Sequence, residues 1–428
     1  MPHLHHLLQN RKSSIRTLVV GAGTFGAQMV SQLCRIPNAG GVVFCDLVPE
    51  KARAALLRAG IPAAQIGFAE TAESANRLLD AGKKVVMDNA FEAVLARLDA
   101  VCDVTGEPFF GGELAFRAIC AGKHMVAVNI ESDAVFGAAL LRHARQNGVV
   151  YSQADGDQPA LILALLRWCA CLGLHVNAAG KWTSLTPPAE RLTQGKRSDV
   201  AYHDGSKNQV ELCCVANMSG LLPDRRGLHT PSLPLEEIPN GFCSIREGGI
   251  FTRDGVVDAV NCHTPDGIPH TPGHLGGGVF AVADCPNPYF AEAITSKHVL
   301  HSRDGKRALF YRPYHLVGIE APMSILRAVL QNEASAAPLP APVAEVIAIA
   351  KRDLTAGTAL DGIGGQCLRG EAELFAAAQK DRLLPLCMAQ DVTLRQDIPE
   401  GTPITYDMVD LHWRPVIRRL RAEQELSV

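Results

Sequence analysis

Lysine and carboxylate side chains set close together are the first chemistry this chain offers. In "DGSKNQVELCCVANMSG" (204–220), Asp204, Lys207 and Glu211 stand at i, i+3 and i+7. On a helix that spacing makes one charged stripe. The residues that follow, Leu212 to Ala216, are apolar almost all round, the pattern of a buried helix. An ammonium held by carboxylates in a partly dry site can stabilise a developing alkoxide, or give and take an alcohol proton. A second lysine, Lys181 in "AAGK", falls just past a predicted strand, where a strand-end catalytic lysine is expected. Spacing leaves open which lysine handles the proton. The plain alternative for Lys207 is a solvated ion pair.

Other polar residues are placed to hold a substrate. "RPYHLVGIE" brings Arg312, His315 and Glu320 to one strand-to-helix junction. The planar fork of Arg312 suits a phosphate or carboxylate. His315 is either a ligand contact or a core histidine. "CHTPDGIPHTPGHLGGG" carries His263, His270 and His274, but their spacing on a Pro/Gly loop is not a zinc-ligand pattern. A loop that closes over substrate, with His270 or His274 touching it, is the better reading, and no metal site is assigned. The run Gly276–Gly278 lets backbone approach an anion. Asp157 in "ADGDQP" and Asn217 in the 204–220 stretch complete the substrate-binding candidates. Whether a divalent ion assists is left open.

These residues need a scaffold, and the N-terminal part supplies its signature. "RTLVV" is a short β run, followed by Gly21-Ala-Gly23-Thr24-Phe25-Gly26, then a helical stretch and a second strand ending in Asp46. GxGxxG between a strand and a helix, with an acid at the next strand end, is a dinucleotide fingerprint. Gly21 permits the turn, Gly23 lets a pyrophosphate approach, and Gly26 lets helix and strand pack. Asp46 accepts from a ribose 2′-OH and repels a 2′-phosphate, which favours NAD. Lys51 and Arg53 follow a turn or two later, so NADP stays possible. "CDVTGEP" puts Thr105 and Gly106 at another strand end, beside the expected nicotinamide ribose. "GKHMVAVNIESD" puts Asn129, Glu131 and Asp133 at the next, where the two acids either face the site or cap a helix.

Strands alternating with helices up to residue 150 predict a doubly wound parallel sheet. From 151 to 335 the texture changes: a helix over 160–173, a strand into a polar loop at "LHVNAAGKWTS", strands at "VFAVAD" and "RALFYRPYHLV", and a Pro/Gly-rich stretch over 221–278. This predicts an α+β catalytic and oligomerisation domain. "ASAAPLPAPVAE" (334–345) reads as a linker. A small, mostly β module follows over 345–412, with a helix at 371–380, and the basic tail after it reads as solvated. The chain has 428 residues, is 47% hydrophobic and carries a formal charge of −3, which does not suggest nucleic acid or an anionic membrane as partner. Thirteen scattered cysteines, an odd count without CxxC, read as buried thiols in a reducing cytoplasm. The N-terminus lacks an apolar signal segment, and His3, His5 and His6 read as part of a surface helix.

Several segments together resemble a known group. "GKHMVAVN" is similar to a strand of homoserine dehydrogenases. With "ADGDQP", "AAGK", "HDGSKNQVE", "YRPYHLVGIE" and the C-terminal module, the chain resembles homoserine-dehydrogenase-like NAD(P)-dependent oxidoreductases with a C-terminal SAF domain. That group includes the 1-deoxy-D-xylulose-5-phosphate reductoisomerase-like enzymes of isoprenoid precursor synthesis. The resemblance runs from about 15 to 412. It implies a Rossmann domain, a middle catalytic domain and an SAF-like domain. It also implies hydride transfer to or from a small polar hydroxy or keto substrate in a cleft, with a lysine at the carbonyl/alcohol centre. A homo-oligomer is expected. Asp46 makes an NAD-linked oxidation of a polyol or hydroxy acid an alternative to an NADPH-linked reductoisomerase. A non-catalytic nucleotide-binding protein acting through the SAF module is the alternative outside enzymes. The lysine/carboxylate set argues against it.

Overall fold

The computed structural model describes residues 2–185, 197–264, 266–270 and 275–426. The chain forms two compact units: Met1–Ala160 with Leu316–Pro340 and Val416–Gln424, and Leu161–His315 with Ala341–Pro415 and Glu425–Val428.

The first unit is built on seven parallel strands: β1 (Arg16–Val20), β2 (Gly41–Cys45), β3 (Ile66–Phe68), β4 (Lys84–Met87), β5 (Ala100–Asp103), β6 (His124–Ala127) and β7 (Tyr151–Gln153). Their order is β3-β4-β2-β1-β5-β6-β7. Helices between successive strands bury most of both faces, which is why the central strands read as apolar runs and not as alternations. The order reverses between β1 and β5, the place where such sheets receive ligands. The strands read from sequence are present. β3, three residues long with a glycine at its centre, escaped that reading.

Two expectations about this unit are corrected. The "ASAAPLPAPVAE" stretch is no free linker at its start. The Gln153 N–H donates to Ala336 O at 2.7 Å and the Ser335 N–H donates to Ser152 Oγ at 3.0 Å, so this segment satisfies the open edge of β7. The basic tail is not a solvated end. It forms a helix, Pro415–Glu425, that buries Ile417, Leu420 and Gln424. His143 and Glu423 pair at 2.6 Å and tie it to the Ile130–Gln146 helix. Leu4 and Leu8 of the histidine-bearing N-terminal helix pack into the core, while His5 and His6 are exposed.

The second unit holds a four-stranded sheet, β8 (Val176–Thr183), β9 (Val256–Asn261), β10 (Val279–Asp284) and β11 (Arg307–Arg312), in the order β11-β10-β8-β9. β8 and β9 are parallel, and β10 runs against both its neighbours. One face carries an aromatic core in which Trp182 meets Phe280 at 4.9 Å and Phe242 packs on Phe251 and Phe280. By alternation along β8, Lys181 and Thr183 face the other way. β9 was missed in sequence because it lies within the Pro/Gly-rich stretch and has Asp258 at its centre.

The C-terminal module of this unit pairs β12 (Ala344–Ala350) with β14 (Leu368–Leu374), and β15 (Gln390–Leu394) with β13 (Ala359–Asp361) and β16 (Val409–Leu411). The helix expected over 371–380 starts only at Phe375, because the residues before it belong to β14.

The charged stretch is also not one helix. Gly205, at φ 83°, separates the helix Arg197–His203 from the helix Ser206–Ser219. Asp204 lies in that break and accepts from the Ser206 N–H at 2.8 Å, so the expected stripe does not form. The second helix is buried nearly all round because it lies between β8 and the C-terminal module. Leu212 to Ala216 are wholly inaccessible. Ser206 Oγ accepts from the Gly370 N–H, and Gln209 Oε1 accepts from the Ala372 N–H, both at 2.8 Å. Asn217 Oδ1 accepts from the Val343 and Ala344 N–H groups at 2.8 and 2.9 Å, and its Nδ2 donates to Ala344 O at 3.1 Å. Asn217 therefore secures the helix to β12 through both arms of its amide.

Asn217→Ala leaves the buried Ala344 N–H and the part-buried Val343 N–H unpaired and should cost about 2–3 kcal/mol of stability. Calorimetry of the full chain checks this, and an unchanged melting midpoint would contradict it.

Candidate functional site

Each unit carries one candidate centre. In the first it is the turn after β1. Gly21 has φ 107°, and a Cβ there would stand 3.0 Å from Val104 O. A Cβ on Gly26 would stand 1.9 Å from Gly21 O, so only glycine fits. At Gly23 a Cβ would meet nothing within 4 Å. Gly23, Thr24 and Phe25 are exposed, and no side chain caps the Thr24–Leu33 helix. Its first N–H groups and the positive end of its dipole are thus presented outward. Asp46 closes the turn: Oδ2 accepts from the Ala22 N–H at 2.7 Å and Oδ1 from the Val48 N–H at 2.9 Å. Each oxygen keeps a lone pair for a further donor. Lys51 is exposed, and Arg53 lies 3.6 Å from Glu50. These residues fit a dinucleotide: a cradle without side chains for the pyrophosphate and a carboxylate for a ribose.

The end of β5 is organised by Asp103, which the sequence reading passed over inside "CDVTGEP". Its carboxylate is buried and accepts from the Thr105 N–H (2.9 Å), Thr105 Oγ1 (2.7 Å) and Asn129 Nδ2 (2.8 Å). Gly106 then turns the chain at φ 73°. Asn129 was expected at the cofactor. Instead Nδ2 also donates to Glu107 O at 3.0 Å, and Oδ1 accepts from the Ser132 N–H at 3.1 Å. It is a buttress for the 103–107 turn and the cap of the Ile130–Gln146 helix. Asp133 is turned inward: it accepts from Tyr151 OH at 2.8 Å and Gln153 Nε2 at 2.6 Å. Glu131 is buried. Asp157 is also buried, and its Oδ1 accepts from the Gln158 N–H at 2.9 Å, at the start of the Gln158–Cys171 helix.

In the second unit the centre is Lys181. Its ammonium donates to Glu211 Oε2, and both side chains are nearly inaccessible. One turn back on the helix, Asn208 Nδ2 donates to Thr183 Oγ1 at 2.8 Å. The partners therefore differ from those expected from spacing. Glu211 serves Lys181 across 30 residues. Asp204 pairs with Lys351 of the C-terminal module at 2.6 Å. Lys207 is half-buried on the first turn of the helix.

The remaining candidates are dispersed within this unit. Arg312 lies over the Tyr314 ring at 4.4 Å and lines an apolar pocket of about 650 Å³ with Trp168, Phe310 and Tyr311. His315 Nδ1 bonds to Gly277 O at 2.8 Å, and His270 Nε2 bonds to Ser232 Oγ at 2.8 Å. His274 lies outside the described residues. The structure also pairs His229 Nε2 with Asp224 Oδ2 at 2.8 Å. Asp258, buried in β9, accepts from the His229 and Thr230 N–H groups, both at 2.9 Å. No run or spacing in the sequence marks that cluster. Among the described residues no group of three or more His, Cys, Asp or Glu side chains could hold a metal, and no helix is long and apolar enough to cross a membrane.

Two segments of the chain match known families. Residues 156–321 match the family model of the oxidoreductase DRL catalytic domain, and residues 345–410 match that of the SAF domain. The chain thus carries a segment similar to an oxidoreductase catalytic domain, with an SAF segment after it. No curated protein matches the chain. Solved structures that the chain matches include a probable dehydrogenase from Thermotoga maritima, 12% identical over 75% of this chain and 90% of that one, with a TM-score of 0.42. Another is KijD10, a 3-ketoreductase from Actinomadura kijaniata in complex with NADP, 14% identical over 75% and 91%, with a TM-score of 0.40.

Burial pushes the Asp103 carboxyl up to about 6, although the hydrogen bonds from Thr105 and Asn129 pull it down. The unfolded value is about 3.9. A raised pKa means that the folded chain holds the proton more tightly. The contribution to stability is full below about pH 4 and lost as pH rises through 6. Asp103→Asn should therefore gain about 3 kcal/mol relative to the parent protein between pH 4 and pH 8. Urea unfolding at both pH values checks this, and a pH-independent difference would contradict it.

Proposed function

We propose that the chain is an NAD-dependent oxidoreductase acting on a small polar hydroxy or keto substrate, with Lys181 handling the proton. The observation that carries this reading is the buried Lys181–Glu211 pair inside the segment that matches an oxidoreductase catalytic domain. A purely structural role would ask for less. Taking both charges out of water is expensive, and an apolar pair of the same volume would often hold the fold as well. A proton-transfer role asks for such a setting, because a dry site makes each charge act strongly on the reacting oxygen.

Bound nicotinamide would accept the substrate's hydride in oxidation or supply it in reduction. In the oxidative direction the carbinol C–H bond breaks with both its electrons leaving as hydride. The O–H proton passes to Lys181 Nζ, whose own proton Glu211 has taken. In reduction the ammonium returns a proton to the forming alkoxide. Glu211 fixes the direction of Nζ throughout. Lys207 offers a second positive charge, half-buried on the first turn of the same helix, for an anionic group of the substrate. Arg312, His270 and His315 remain substrate-contact candidates, and Asp204 supports the site through its pairing with Lys351 and its hydrogen bond to the Ser206 N–H.

The first unit supports the cofactor assignment. The glycine turn with its uncapped helix receives the pyrophosphate, and Asp46 takes the ribose hydroxyls. A 2′-phosphate at Asp46 would meet a carboxylate, which is the physical reason for NAD over NADP. The resemblance to homoserine dehydrogenases and the reductoisomerase-like enzymes narrows the substrate to small hydroxy or keto compounds, sugar phosphates among them.

A panel of polyols, hydroxy acids and sugar phosphates, read at the nicotinamide absorbance with NAD and NADP, tests the proposal. Deoxyxylulose phosphate with NADPH tests the narrower reductoisomerase reading. Lys181→Met should lower kcat by about 10³-fold while leaving NADH binding, measured by fluorescence titration, unchanged. A Lys181→Met protein that turns over normally would rule out this assignment. Asp46→Ser should reduce the preference for NAD over NADP by at least about tenfold, and an unaltered preference would remove Asp46 from the cofactor site.

A further inference from the structure

The Ser206–Ser219 helix sends two polar side chains to β8, and only one of them is fully used. Glu211 meets Lys181. Asn208, one turn earlier, meets Thr183, two residues further along the same face of β8. The two contacts form adjacent rungs, roughly 5–7 Å apart by the spacing of a helical turn and of alternate strand residues. The Nδ2–Thr183 bond fixes the amide plane of Asn208. Its other arm, Oδ1, is buried and has no hydrogen-bond partner among the described residues, in a residue 2% exposed. Polar side chains toward the C-terminal module do not share this deficit: Ser206, Gln209 and Asn217 all meet backbone groups there. The unpaired acceptor belongs to the side chain that faces β8 next to Lys181. A buried carbonyl oxygen without a donor lowers stability, and such groups in folded chains call for a donor from water, an ion or a ligand.

We propose that Asn208 Oδ1 accepts a hydrogen bond from a second substrate hydroxyl, one or two carbons from the carbon whose oxygen meets Lys181. This rests on the hydride-transfer reading and deepens it by naming the substrate class: a 1,2- or 1,3-diol and the hydroxyketone it becomes. The rung spacing suits two hydroxyls on neighbouring or next-neighbouring carbons, one on Nζ and one on Oδ1. A substrate with a single hydroxyl leaves Oδ1 unpaired in a site from which water is excluded. Sites built this way reject the analogue that lacks the group.

The test uses the full chain with NAD and matched pairs: propane-1,2-diol and propane-1,3-diol against propan-1-ol and propan-2-ol, butane-2,3-diol against butan-2-ol, and glycerate against lactate. The expected result is a kcat/KM about 10²-fold higher for the member with the second hydroxyl. Asn208→Ala should collapse that ratio to below about tenfold without changing the KM for NAD. Asn208→Asp, which keeps an acceptor oxygen, should retain the preference. Equal turnover within each pair, or an undiminished ratio in Asn208→Ala, overturns the inference and leaves the hydride-transfer reading standing. A parent protein that binds NADH yet turns over no member of any pair and none of the wider panel of polyols, hydroxy acids and sugar phosphates overturns both.

Discussion

A lysine ammonium and a glutamate carboxylate that meet almost out of water constrain everything around them. Removing one partner from such a pair leaves an uncompensated buried charge, at a cost of about 3–5 kcal/mol. The pair therefore has to be held from both sides. β8 is fixed between β9 and β10, and its register decides which face Lys181 takes. A slip of one residue would drive the ammonium into the layer of Trp182 and Phe280. The helix that carries Glu211 is fixed from behind. Ser206, Gln209 and Asn217 bond to backbone of the C-terminal module, so the module sets the rotation of the helix that aims Glu211 at β8. On this account the module is part of the catalytic unit and not an appendage.

Much of the first unit was legible in the sequence. Strands buried on both faces announce themselves as apolar runs, and GxGxxG followed by Asp46 states a turn, a helix N-terminus and a carboxylate in one short stretch. The close approaches at Gly21 and Gly26 are the physical content of that motif. What stayed hidden was whatever depends on partners far away in the chain. The i, i+3, i+7 spacing of Asp204, Lys207 and Glu211 is real, but a left-handed Gly205 breaks the helix and redistributes the three charges. Asp204 goes to Lys351 and Glu211 to Lys181, pairings that no local pattern encodes.

Amides were the hardest residues to interpret. Asn129, Asn208 and Asn217 all sit in segments that look functional. Sequence cannot say whether an amide serves the backbone, as Asn129 and Asn217 do, or keeps an arm in reserve, as Asn208 does. Weakly apolar or glycine-bearing strands were lost for a related reason. β3 and β9 owe their existence to neighbouring strands and not to their own composition. The C-terminal helix, read as a solvated tail for its arginines, is amphipathic, and Ile417 and Leu420 decide its place.

The central claim is that Lys181 and Glu211 act as one proton-handling unit. A double-mutant cycle on kcat/KM tests it most directly, with Lys181→Met, Glu211→Gln and the combined variant assayed on one substrate. If the two act together, each single change costs about 10²–10³-fold and the double variant is scarcely worse than the poorer single one. Losses that multiply would show two residues contributing independently, and the account of the buried pair would then be wrong.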